Sequence, residues 1–68
     1  METFKLKGEY IQLNQLLKVL GWAMSGSEAN AIIDDGLVQV NGNTELRRRN
    51  KIYSGFKVSF NGESVTVE

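Results

Sequence analysis

SGSEANAIIDDGLVQVNG, residues 25–42, begins on a helical repeat and ends on an alternating one. Ser25 stands three residues before Glu28, the spacing of a capping box. In that motif the hydroxyl accepts from a free backbone N–H and the carboxylate reaches back to the cap. Ala29, Ile32 and Ile33 then share one helical face, and Gly36 stands where a left-handed residue closes a helix. The pattern predicts a helix over residues 26–35. Asp34 and Asp35 fall in its last turn, where the helix macrodipole disfavours negative charge, so they are expected to face cations elsewhere in the fold. Past Gly36 the period drops to two: Val38 and Val40 form one face of a strand that runs into Asn41-Gly42. Asn-Gly supplies positive φ angles at little steric cost, which is what a tight hairpin needs.

The same logic extends in both directions. Upstream, LNQLLKVLG places Leu13, Leu16, Leu17 and Leu20 on one face of a short helix over residues 13–20, with Gly21 as its cap. Before it, TFKLK at residues 3–7 alternates and predicts a short strand that ends at Gly8. Downstream, KVSFNGESVTV repeats the hairpin chemistry, with Val58 and Phe60 before Asn61-Gly62 and Val65 and Val67 after it. The expected fold is α+β: two short helices, then a small antiparallel sheet with Asn-Gly turns.

Length and composition bound the function. The 68 residues make one domain, 1–68, with no room for a second core. Without cysteine there is no disulfide or thiolate, and without histidine the usual neutral-pH base and the commonest metal ligand are missing. Asp34-Asp35 is a carboxylate pair, but neighbours on a helix diverge by about 100° and would not share a substrate. No phosphate-cradling glycine loop and no nucleophile–base spacing is present. The expectation is a non-enzyme with no cofactor and no metal. METFKLKGEY has no apolar run suited to a signal or a membrane span, so a cytoplasmic protein is expected, and a monomer is the expected state.

The formal charge is zero, 8 Lys+Arg against 8 Asp+Glu, but it is unevenly spread. Residues 43–60 carry Arg47, Arg48, Arg49, Lys51 and Lys57 against Glu45 alone, while both flanks are net acidic. A basic segment in a neutral protein makes a local field without general stickiness.

Taken in order, Ser25 to Ala29, Ile32-Ile33, Gly36, Val38-Gln39-Val40-Asn41-Gly42 and Gly55 resemble the S-four RNA-binding domain, a family named for a ribosomal small-subunit protein. The resemblance covers about residues 11–60, and Glu45 to Lys51 is similar to the basic run of its small free-standing bacterial members. It implies an αL motif and RNA binding. The chain departs from the family pattern at Gly26, where an arginine is usual, at Phe56, where aspartate is usual, and at Asn30, Asp34 and Asp35, where basic residues are common. On this resemblance RNA binding rests on the loop at 47–51 more than on the helix face.

In an extended segment with Leu46 and Ile52 turned inward, Arg47 and Arg49 project together and Arg48 oppositely. Guanidinium forks suit phosphate oxygens, so Arg47, Arg48, Arg49 and Lys51 are the expected RNA ligands, with Lys18 and Lys57 extending the patch. The competing reading pairs the arginines with Asp34, Asp35 and Glu28 of the same fold, though exposed pairs contribute only about 0–1 kcal/mol each. Trp22 is expected in the core, Tyr10 and Tyr53 at its edge or against RNA, and Phe56 as the most exposed aromatic. The RNA would be structured, ribosomal or transfer RNA among the possibilities, and recognised by shape and phosphate placement. The alternative is a protein-interaction adaptor that meets an acidic partner with the basic loop and an exposed aromatic. Sequence-specific DNA reading is disfavoured by the aspartates that end the second helix.

Overall fold

The computed structural model describes residues 2–68. Elements follow in the order β1 (Glu2–Phe4), β2 (Tyr10–Gln12), α1 (Leu13–Val19), α2 (Gly26–Asp34), β3 (Val38–Val40), β4 (Asn43–Thr44), β5 (Lys51–Tyr53), β6 (Lys57–Phe60) and β7 (Glu63–Val67). The helices thus stand where their leucine and isoleucine spacing put them, each one residue shorter at the C-terminal end. Both end in the same way. Gly21 donates to the Lys18 carbonyl and Trp22 to that of Leu17; Gly36 donates to Ile33 and Leu37 to Ile32. Two such bonds around a left-handed residue make a Schellman cap, and Gly21 and Gly36 have φ of 78° and 73°. At the start of α2 the Ser25 hydroxyl accepts from the Glu28 N–H at 3.1 Å. The Glu28 carboxylate reaches back one residue further than the motif requires, to the Met24 N–H at 3.0 Å.

Five strands form one sheet in the order β1-β7-β6-β3-β4. Val40 faces Asn43 and Phe60 faces Glu63, so Asn41-Gly42 and Asn61-Gly62 are two-residue hairpin turns. Both asparagines have a φ of 53°, the positive value such turns demand. The sheet is mixed, not wholly antiparallel, because β1 lies parallel to β7. A parallel partner is reached only by a long crossover, here nearly the whole chain, and no local pattern announces it. β1 is also shorter than expected, yet beyond it Leu6 still donates to the Glu68 carbonyl at 2.8 Å and Phe4 and Leu6 pack on the core. The second sheet, β2 against β5, was not foreseen.

One core serves both layers: Leu13, Leu16 and Leu17 of α1, Ala29 and Ile33 of α2, Ile52 of β5, and valines 38, 40, 58, 65 and 67 of the large sheet. Trp22 packs against this core with its ring 5.9 Å from that of Phe60, as expected.

The two glycines that bracket α2 predict opposite responses to one substitution. A Cβ at Gly36 would meet only ordinary contacts, Thr44 Cγ2 at 3.7 Å and Leu46 Cδ2 at 3.9 Å, so the cost of Gly36→Ala is conformational, about 1–2 kcal/mol. Gly26 is helical with open space around it, so Gly26→Ala should stabilise by about 0.4–1 kcal/mol. Urea unfolding of the two variants measures both, and equal signs would refute the assignment of the caps.

Candidate nucleic-acid interface

The chain from Glu45 to Asn50 links β4 to β5 and carries the arginine run. It is not extended: Asn50 donates to the Arg47 carbonyl at 3.2 Å, closing a turn. Leu46 is correspondingly 60% exposed, not turned inward, while Ile52 is fully buried.

What holds this loop is the start of α1. A helix leaves its first N–H groups without intrahelical partners, and Gln12, the residue before α1, makes no side-chain cap. The loop supplies the acceptors instead. The Asn50 carbonyl takes the Leu13 N–H at 2.9 Å, and the Arg48 carbonyl takes the Asn14 N–H at 3.0 Å. Behind them the Asn14 amide donates to Asn30 Oδ1 at 3.1 Å, tying α1 to α2.

Two carboxylates organise the arginines. Glu45, whose side chain is only 14% exposed, accepts from Arg47 Nε at 2.9 Å, from the Arg47 backbone N–H at 3.0 Å and from Asn50 Nδ2 at 3.2 Å. Asp34 receives Arg48 in a two-point grip, Nε donating to Oδ1 at 2.9 Å and Nη2 to Oδ2. Asp34 therefore faces a cation, as its unfavourable helix position suggested; Asp35 forms no ion pair among the described residues. The arginine hydrogen bonds hold both carboxyls below their ordinary values, Glu45 by Arg47 and Asp34 by Arg48. Each arginine is raised in turn by its carboxylate.

The remaining cations open onto one concavity. Arg47, Arg49 and Lys51 line it together with Asn41, Asn43 and Tyr53, around an open space of about 700 Å³ between the β3–β4 turn and β5. Arg48 points away, to Asp34. Arg49 has no ion-pair partner among the described residues, and Arg47 remains 76% exposed despite its carboxylate. Lys51 Nζ lies 5.0 Å from the ring centre of Tyr10. Lys18 and Lys57 are exposed, in the last turn of α1 and at the start of β6, and neither lines this space. The aromatic assignment changes: Phe56 is half-buried against the core, whereas Tyr10 and Tyr53 are 39% and 41% exposed. Sequence reasoning also missed the organising parts of Glu45, Asn50 and Asn14, whose roles depend on contacts between distant segments; the one local signal was Glu45 as the sole acid in a basic stretch. Among the described residues no cluster of acidic side chains converges to hold a metal.

The S4 domain model matches residues 4–68, almost the full chain. The chain belongs to the S4 domain family. It is 47% identical over 68 residues to "Putative RNA-binding protein YbcJ" of Escherichia coli (strain K12), covering 98% of this chain and 97% of that one. Its identity to "Uncharacterized protein YbcJ" of Shigella flexneri is likewise 47% over 68 residues. The solution structure of YbcJ from E. coli, described as revealing an αL motif involved in RNA binding, matches with a TM-score of 0.73 over 98% of this chain and 86% of that chain. The S4 domain here is thus the α+β arrangement of two helices and a mixed sheet, with its basic loop docked on α1.

Because both carboxyls are depressed in the folded S4 domain, their pairs contribute stability that is complete above the ordinary values, 4.5 for Glu45 and 3.8 for Asp34, and lost as pH falls through the lowered ones. Thermal melts between pH 7 and pH 2 should be flat down to about pH 5 and decline below it. Glu45→Gln should start lower and decline less, and superimposable profiles would show that the Glu45 pair does not stabilise the fold.

Proposed function

We propose that this chain is a non-catalytic, monomeric, cytoplasmic module that binds structured RNA through the concavity at residues 47–51. The observation that carries the reading is the convergence of Arg47, Arg49 and Lys51 on one open surface of a protein whose formal net charge is zero. Such a field attracts a polyanion to one place and leaves the rest of the surface indifferent. The names given to the relatives point the same way: an S4 domain, an E. coli relative named for RNA binding and an αL motif tied to it.

Within the site the cations divide their work. Arg49 and Lys51 are the primary phosphate ligands. Arg47 uses Nε and Nη2 on Glu45 and keeps its other N–H groups for a phosphate oxygen. Arg48 is an anchor that holds the loop to α2 through Asp34, so it acts on RNA through the positions of its neighbours. Lys18 and Lys57 lie outside the lining and add at most long-range attraction. The asparagines of the rim offer hydrogen bonds to sugar hydroxyls, which distinguish RNA from DNA. No helix among the described residues is long and apolar enough to cross a membrane.

Counterion release makes the division measurable, because each phosphate contact contributes to the slope of log affinity against log salt. For a structured RNA hairpin, Arg49→Ala or Lys51→Ala should weaken binding and reduce that slope by about 1. Replacing Arg48 and Asp34 together by Ala removes no direct phosphate contact but frees the loop from α2, so it should weaken binding with a smaller loss of slope than either single variant. An unaltered slope in both Arg49→Ala and Lys51→Ala would remove the RNA site from this loop.

A further inference from the structure

Phosphate binding explains the cations of the concavity but not the two tyrosines beside them. β2 and β5 are antiparallel, with Tyr10 directly opposite Tyr53 and Ile11 opposite Ile52. Side chains alternate along a strand, so burial of Ile52 turns Lys51 and Tyr53 together onto the outer face, where Tyr10 joins them. The tyrosine ring centres are 5.8 Å apart and tilted by 51°. Phe56 braces Tyr53 edge-on at 5.9 Å, and Lys51 sits over Tyr10. Both tyrosine residues nevertheless remain exposed, at 39% and 41%.

A tyrosine at the edge of a core needs no ligand to explain it. Tyr53 differs in its position, because it lines the same concavity as Arg47, Arg49 and Lys51, with Tyr10 directly opposite it on β2. Lys51 and Tyr53 are two residues apart on one strand face, about 7 Å, roughly the reach of a single nucleotide from its phosphate to its base. Aromatic faces take bases that are out of the helix stack, whereas a paired base offers only its edges.

Building on the RNA reading above, we infer that Tyr53, with Tyr10 beside it, is a stacking platform for one unpaired nucleobase. The RNA recognised is then a helical segment carrying a bulged or splayed nucleotide next to the phosphates held by Arg49 and Lys51. The platform makes the preference one of RNA shape and not of base identity, because every base has a π face.

Three hairpins with a common stem test this: one fully paired, one with a single unpaired adenosine, and one with an abasic residue at that bulge. The wild-type protein should favour the adenosine bulge over the other two by about tenfold or more. Tyr53→Leu should erase the preference and leave the salt slope intact, while Tyr53→Phe, which keeps the ring, should retain it. If Tyr53 served only to hold the loop, its loss would displace the cations and the salt slope would fall as well; that result overturns the platform. If Tyr53→Leu fails to fold, Tyr10→Leu is read by the same two criteria. Equal binding of all three hairpins by the wild type also overturns the platform while leaving the cationic site standing. Absence of salt-sensitive binding to any hairpin overturns the RNA reading itself, and the platform with it.

Discussion

Two hydrogen bonds hold the surface of this protein to its core: the Leu13 N–H to the Asn50 carbonyl and the Asn14 N–H to the Arg48 carbonyl. Leu13 is fully buried, so its N–H needs a protein partner, and the first turn of α1 has no side-chain cap of its own. The arginine loop is therefore the cap. Each bond of this kind is worth about 1 kcal/mol net and more if left unmade, a large share for a domain of this size. A segment that would otherwise be a mobile basic loop is kept in one shape by the needs of a helix.

For the proposed RNA site, that constraint bears on binding. A loop ordered before it meets its ligand loses less conformational freedom on association, so more of each phosphate contact appears as affinity. The acids near the loop serve the same end. Glu45 and Asp34 each take one arginine, and the two pairs act as restraints that leave Arg49 and Lys51 to face outward with Arg47 beside them. Exposed ion pairs contribute little to stability, so their main consequence here is geometric. It is also why a run of three arginines does not present three equivalent side chains.

The elements whose partners lie close in sequence were legible in it. The Ser25 cap, the Gly21 and Gly36 ends and both Asn-Gly hairpins depend on residues within a few positions of one another, and all are present. The parallel pairing of β1 with β7 and the β2–β5 sheet join segments far apart in the chain, and periodicity carries no such information. The site divides along the same line. The charge contrast between residues 43–60 and their flanks was visible, but the roles of Arg47, Arg48 and Arg49 depend on which acid folds back beside each. Phe56 was misread because its place after Gly55 suggested an open turn, whereas it donates to the Tyr53 carbonyl and accepts from Val67, which draws its ring onto the core.

If the loop ordered by α1 presents its cations to RNA from one concavity, RNA should perturb that loop and leave its docking on α1 intact. Backbone amide NMR during titration with a structured RNA hairpin, and with a DNA duplex of matched stem, at two salt concentrations, tests this. Shifts should cluster from Glu45 to Tyr53, larger with RNA than with DNA and reduced by salt, with Leu13 and Asn14 keeping their hydrogen-bonded amides throughout. Shifts centred on the exposed face of α2, or silent spectra with both ligands, would contradict it.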